Sequence, residues 1–348
     1  MNLVQRVEHQ IRQVGEIPLS AACRLSDFAR YSAREGRYAV MNAIGIAHEQ
    51  LRADFPIEWR NKPLGVENYS ANPIVLLHGY GENRGIFLDY EDRLRVNGFG
   101  LIYRINYDFF DRMDETSEGK VLERVREIKT QSRCGSGKVD IVGFSEGGIV
   151  ARYFAKHHTD LVDHCVMIGA PNGGTYLALA GYIAMIGDIS RTVTAKKKES
   201  HVGVSRTKYH VSAESVRQMM KGSRFLKRLN RPREGDPVKY VNIYSRADEI
   251  LLSTTDIEGA INVDIRELGI PGIGHLGLIH DPLVIDWSVQ FLRKALNGEW
   301  KDLVGLSEED LVTQFPLEKL PSYSTHNAKS QHTSPYRGAA RPRASPRK

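Results

Sequence analysis

The segment Val139 to Phe154, VDIVGFSEGGIVARYF, holds Ser145 between Gly143 and Gly147 at G-x-S-x-G spacing. A serine hydroxyl is a weak nucleophile unless the backbone presents it and a neighbouring base takes its proton. The spacing alone says little, since ordinary Gly and Ser frequencies give such a match roughly one chance in ten in a chain this long. Its placement says more. Val139–Val142 read as a strand and Ile149–Phe154 as a helix, so the motif fills the turn between them. A nucleophile elbow holds its serine, strained, on such a turn. The N-terminus of the following helix then aims N–H groups at charge developing beside Ser145. Two phosphate-loop readings fit worse. GFSEGG is not G-x-G-x-x-G, and SRCGSGKVD has Ser132 in place of the first P-loop glycine and Val139 in place of Ser or Thr.

A serine nucleophile requires a base, and the base an acid that orients it. Downstream of Ser145 the chain offers Asp248 in VNIYSRADEIL, shortly after an apolar strand, with Glu249 and Asp256 as rival acids. It then offers His275 in GIPGIGHLGLIHDP, with His280 as rival base. Gly274 and Gly277 flank His275 and leave room for an imidazole to reach across the end of a sheet. Asp248 and His275 are favoured: Asp248 closely follows its strand, His275 has the roomier loop, and the order Ser, Asp, His is that of serine hydrolases built on a nucleophile elbow. An oxyanion would need two donors, expected at the backbone N–H of Glu146 and of Tyr80 in LLHGYGENRG.

These residues need a scaffold that brings strand ends together. Apolar strands are expected at 73–78, 100–107, 138–144, 162–171, 238–245 and 259–267. Helical stretches at 84–97, 117–130, 147–157 and 282–296 alternate with them. That alternation implies an α/β fold whose parallel sheet is covered on both faces. Functional loops then belong at the carboxyl ends of the strands. Residues 1–60 read as a helical extension. Residues 61–300 form the main domain, interrupted by a cap-like insertion at about 175–236. Residues 301–348 form an extension that reads as disordered and basic from about 322.

IVLLHGYG, VDIVGFSEGGIVARYF, IGAPNGGT, IYSRADEIL and GIGHLGL together resemble the bacterial triacylglycerol lipase and esterase branch of the α/β-hydrolase superfamily, over about residues 72–297 without the insertion. The resemblance implies Ser145, Asp248 and His275 as a triad, with Tyr80 and Glu146 around the oxyanion. It implies hydrolysis of carboxylic esters, lipid-like acyl esters among them, with no organic cofactor. Transfer of the acyl group to another alcohol or cleavage of a thioester would use the same triad, and an inactive fold serving as a binding module is a further alternative. The sequence departs from the pattern at Glu146, where these lipases more often carry an apolar residue or Gln, and at Phe144, where His is frequent. A carboxylate at 146 helps the helix N-terminus but opposes an adjacent oxyanion. The insertion stands where such enzymes carry a lid, and its YLALAGYIAMIG could line or cover an acyl cleft.

Composition narrows the partners. The formal net charge is +6, yet six basic residues and no acidic ones lie beyond Pro321, and without them basic and acidic residues balance. The folded part therefore gives no ground for specific nucleic-acid binding. A second basic concentration lies between Arg191 and Arg233 in the insertion; it and the tail are the places for contact with an anionic or membrane surface. Cys23, Cys134 and Cys165 have no metal-site spacing, and no metal-ligand cluster is apparent. Cys165, within HCVMIGAP, reads as inert core packing. Arg6, Glu8 and Arg12 interrupt what a signal peptide would need, and no run approaches the ~18 apolar residues of a membrane span. The expectation is a cytoplasmic protein, with signal-less secretion and oligomeric state left open.

Overall fold

The computed structural model describes residues 34–47, 72–108, 111–131, 137–175, 214–251, 256–270 and 273–294. The expectations for residues 1–33, for YLALAGYIAMIG, for Cys23 and Cys134, and for the tail fall outside these ranges.

Six strands, β1 (Ile74–Leu77), β2 (Ile102–Ile105), β3 (Val139–Phe144), β4 (Val162–Ile168), β5 (Lys239–Tyr244) and β6 (Ala260–Asp264), form one sheet in the order β2-β1-β3-β4-β5-β6. Every pairing is parallel, as in Ile74 with Asp140 and His164 with Lys239. The reason lies in the sequence. The strands are short and apolar, and the segments between them are too long for hairpins, so each returns over a face of the sheet. β1 illustrates the period-2 consequence. Its Ile74 and Leu76 enter one core, and its Val75 and Leu77 enter the other.

The first core packs a helix at Leu88–Val96 (here α2) and one at Pro282–Lys294 (α9) on the sheet, with Trp287 and Phe291 fully buried. Burying each such aromatic contributes about 2–3 kcal/mol. The second core receives α4 (Leu122–Gln131) and α5 (Glu146–His157), through Val125, Ile128, Ile149, Val150 and Phe154. The remaining helices are α1 (34–47), α3 (Met113–Thr116), α6 (Glu214–Met219), α7 (Arg224–Leu229) and α8 (Gly277–His280). This is the α/β-hydrolase arrangement.

Several strand ends differ from the sequence reading by one to three residues, as at β2 and β6, and two boundary differences have a visible cause. The helix expected from 117 begins at Met113 and contains a π turn at Ser117–Val121. Its first N–H, that of Met113, is accepted at 2.8 Å by the Gln218 side chain of α6, a cap supplied from far along the chain. β4 was expected to run to 171 and stops at Ile168, because Gly169 takes a left-handed turn (φ 57°). No helix among the described residues is long and apolar enough to cross a membrane.

Chain order reverses at β1, which has β2 on one side and β3 on the other. In open α/β sheets the crevice beyond the carboxyl ends at such a switch point is where ligands bind. Ser145 and Gly79 both lie there.

Candidate active site

Ser145 joins β3 to α5 with φ 54° and ψ −123°, and it is the one non-glycine residue with positive φ among the described residues. Such a conformation costs on the order of 1–3 kcal/mol and persists only where the surroundings impose it. They do so here through both ends of the turn. Ser145 N–H donates to Ile168 O at 2.8 Å, and Ser145 O accepts from Gly148 N–H at 3.0 Å. A Cβ on Gly143 would stand 2.1 Å from Gly147 O, and one on Gly147 would stand 2.2 Å from Leu77 O. Strand, turn and helix therefore close this tightly only with glycine on both sides of the serine.

The turn presents the hydroxyl to an imidazole. Ser145 Oγ lies 2.9 Å from His275 Nε2, and His275 Nδ1 lies 2.6 Å from Asp248 Oδ2. The other oxygen of that carboxylate, Asp248 Oδ1, accepts from the N–H groups of Ile250 (2.8 Å) and Leu251 (3.0 Å), which fixes its plane. His275 and Asp248 are both buried, and Phe144 packs against the imidazole at 5.0 Å between ring centroids. Phe144, where the lipases that the sequence resembles often carry His, thus forms a wall beside that imidazole. The rivals go elsewhere. Glu249 Oε2 accepts from the His275 backbone N–H at 3.1 Å, while Asp256 accepts from the Tyr244 hydroxyl. His280 reaches Asn42, and burial pulls it down to about 4, which keeps it neutral.

Burial alone would depress the His275 imidazolium. The charge of Asp248 and its hydrogen bond, with smaller help from Glu82 and Glu249, outweigh burial and hold the imidazole above its ordinary range. A hydroxyl, an imidazole and a carboxylate in this file allow the imidazole to take the serine proton while the carboxylate supports the cation that results.

The loop after β1 forms the opposite wall. His78 is buried and pulled down to about 4 by burial, so it is a neutral structural residue. Its ring stacks on Tyr107 at 4.2 Å, its Nδ1 meets Gly79 O at 2.9 Å, and the Tyr107 hydroxyl donates to His78 O. Tyr80 follows as an exposed side chain. Glu146 opens α5, so its N–H belongs to the first helical turn, whose donors have no intrahelical acceptor. Its side chain is buried and bonded to Ser215 of α6. Burial, assisted by the charge of Glu82, pushes that carboxyl up to about 8. At neutral pH it is largely uncharged, which removes the conflict between an anion at 146 and an adjacent oxyanion.

Residues that the sequence reading passed over also converge here. Glu35 Oε1 of α1 accepts from Gly274 N–H at 2.9 Å, beside His275. Glu82 Oε2 accepts from Gly79 N–H at 2.9 Å, and Asn42 Nδ2 of α1 donates to Glu82 Oε1 at 3.0 Å. One signal for Glu82 was present. A Glu three residues after a turn residue can reach back to that residue's N–H, as in a capping box.

A group with metal-ligand chemistry lies at the other end of the sheet, where Asp140, Asp163 and His164 approach one another. Lys239 Nζ stands 3.4 Å from His164 Nε2 and 3.6 Å from Asp163 Oδ1, so a cationic side chain already serves that cluster.

Comparison with known proteins adds the following. Residues 71–270 match the family model described as lipase (class 2), which is more than half of the chain. The mature form of the Bacillus licheniformis lipase BlEst2 is similar at 18% identity, covering 67% of this chain and 96% of that one, with a TM-score of 0.47. Aspergillus fumigatus lipase B is similar at 17% identity over 74% of this chain and 64% of its own, with a TM-score of 0.46. The Paleococcus ferrophilus monoacylglycerol lipase is similar at 15% identity over 66% and 96%, with a TM-score of 0.43.

Proposed function

Since the chain belongs to the class 2 lipase family and is accordingly a carboxylic ester hydrolase, we propose that Ser145, His275 and Asp248 carry out the hydrolysis through an acyl-enzyme. The supporting observation is the hydrogen-bonded file from Ser145 Oγ through both nitrogens of His275 to Asp248, spanning three separate strand ends. His275 Nε2 takes the Ser145 proton as Oγ bonds to the ester carbonyl carbon, and the carbonyl oxygen becomes an oxyanion facing the N–H groups of Glu146 and Tyr80. The carbon–oxygen bond to the alcohol then breaks, and His275 gives its proton to the leaving alkoxide. Water, deprotonated by the same nitrogen, attacks the acyl carbon, and the acid leaves as Ser145 regains its proton.

Lipid-type acyl esters are the proposed substrates, on the strength of the family. A fluorophosphonate probe tests the nucleophile: wild type should label and Ser145→Ala should not. Equal labelling of the two would refute the assignment. A nitrophenyl ester series of increasing chain length tests the substrate, since a clear preference for acetate or butyrate over long chains would exclude a true lipase.

A further inference from the structure

Glu82 is a carboxylate that the mechanism above leaves without a part, although it stands beside it. It bridges two elements. One oxygen accepts from Gly79 N–H, immediately before Tyr80, and the other accepts from Asn42 of α1. Asn42 in turn meets His280 Nε2 at 3.2 Å through its own oxygen. The contact with the site is close. A Cβ on Gly79 would stand 2.6 Å from Glu82 Oε2 and 3.0 Å from Ser145 Cβ, so only a glycine separates this carboxylate from the serine. The same helix meets the next turn of the loop, where Asn83 Nδ2 donates to Ile46 O at 3.1 Å.

We infer that Glu82 is a positioning residue for the ester hydrolysis proposed above: by accepting from Gly79 N–H it fixes the His78–Gly79 peptide, and with it the path of the chain into Tyr80, so that the Tyr80 N–H faces the oxyanion, and Asn42 makes α1 part of that clamp. The inference rests on the assignment of Ser145 and His275. Backbone donors stabilise a transition state only when already aimed at the developing charge. His78 Nδ1 and the Glu82 N–H meet the Gly79 carbonyl from within the loop, and the Glu82 carboxylate, tied to α1 through Asn42, holds the Gly79 N–H on the other side, so the peptides on both sides of Gly79 are fixed. The carboxylate has a second consequence. Burial pushes it up to about 7, against the opposing effects of Asn42, the charge of His275 and Gly79 N–H. The groups facing it are Asn42 on α1, His275, Glu146 on α5 and Tyr107 after β2. When ionised it raises the His275 pKa, so two coupled ionisations shape the acid limb of the rate profile.

The test compares Glu82→Ala, Glu82→Gln and Asn42→Ala with wild type, using a short nitrophenyl ester, with kcat and KM measured separately from pH 5 to 9. Glu82→Ala removes both bonds and should lower kcat about tenfold or more with KM little changed, a smaller loss than outright removal of an oxyanion donor. In Glu82→Gln the side-chain carbonyl still accepts from Gly79. A flip of the Asn42 amide, with a change of His280 tautomer, restores the second bond. This variant should recover most of the loss, while its acid limb moves to lower pH and narrows to a single ionisation. Asn42→Ala should fall between the two. Wild-type kcat in Glu82→Ala overturns the inference, as do equal losses in Ala and Gln variants with an unmoved acid limb, which would mark mere packing. If Glu82→Ala does not fold, the pH limb of Glu82→Gln decides alone. A wild type that neither turns over ester nor labels at Ser145 overturns the proposed function as well, whereas an active wild type with an indifferent Glu82 overturns only this inference.

Discussion

The sheet carries a buried Asp–His pair at each end. At the carboxyl end Asp248 and His275 are 2.6 Å apart, and at the amino end Asp140 and His164 are 2.7 Å apart. Both pairs are buried, and both aspartates have a second bonding partner, backbone N–H groups for Asp248 and the Asn72 amide for Asp140. What differs is the other imidazole nitrogen. His275 Nε2 faces a serine hydroxyl on a strained turn, and His164 Nε2 faces the ammonium of Lys239. An acid–base pair is thus common currency in a folded chain. It becomes an active site only where the backbone delivers a nucleophile and an oxyanion donor to it, and in a parallel sheet that happens beyond the carboxyl ends.

The comparison can be broken most sharply by removing one member at a time. Ser145→Ala and His275→Ala should each lower kcat by about four orders of magnitude or more, and the double variant should lose little beyond either, because the residues act as a unit. Asp248→Asn should cost on the order of 10³–10⁴ in kcat, through the wrong imidazole tautomer. Asp140→Asn changes the same chemistry at the other end. It should leave ester turnover within about twofold and instead lower stability by about 1–3 kcal/mol, since Asp140 is buried and hydrogen-bonded. A large activity loss in Asp140→Asn, measured at a temperature where it is folded, would erase the distinction between the two pairs.

The ionisations offer a milder test. Because His275 lies above its ordinary range, the acid limb of kcat/KM should fall at a pH higher than the usual 6.5 of histidine, and turnover should rise as pH increases through it. Glu146 tests the same end through stability. Its carboxyl is raised from about 4.5 to about 8 on folding, so its contribution is most favourable at low pH and is lost as pH rises towards 8. Glu146→Gln should therefore raise Tm more at pH 8.5 than at pH 5.5, a gain readable by thermal unfolding at both values. The smallest effect belongs to Tyr80→Phe. If only its backbone N–H serves the oxyanion, kcat should fall by less than about threefold.

The sequence made the sheet legible because the strands are apolar runs with helical segments between them, a pattern that depends on local spacing. It also placed Ser145, Asp248 and His275 in an order whose sense comes from strand ends, and the fold brings the three together. What it hid depends on contacts distant in sequence. Nothing local marks Asn42 as a partner of Glu82, or Gln218 as the cap of Met113. Glu146 looked like a charge in the wrong place, because a residue type does not reveal burial. Burial, with the charge of Glu82 from the loop after β1 adding to it against the opposing hydrogen bond from Ser215 of α6, makes it a neutral acid near neutral pH. The amino-end pair escaped notice for the same reason, since His164 and Asp140 sit on separate strands and meet only through the parallel register.

The most direct test of the central claim is the mass of the acyl-enzyme. Wild-type protein mixed with a nitrophenyl ester, quenched within a turnover and digested should carry one acyl group on the peptide that contains Ser145. Ester turnover with no adduct on that peptide, or with the acyl group on another residue, would contradict it.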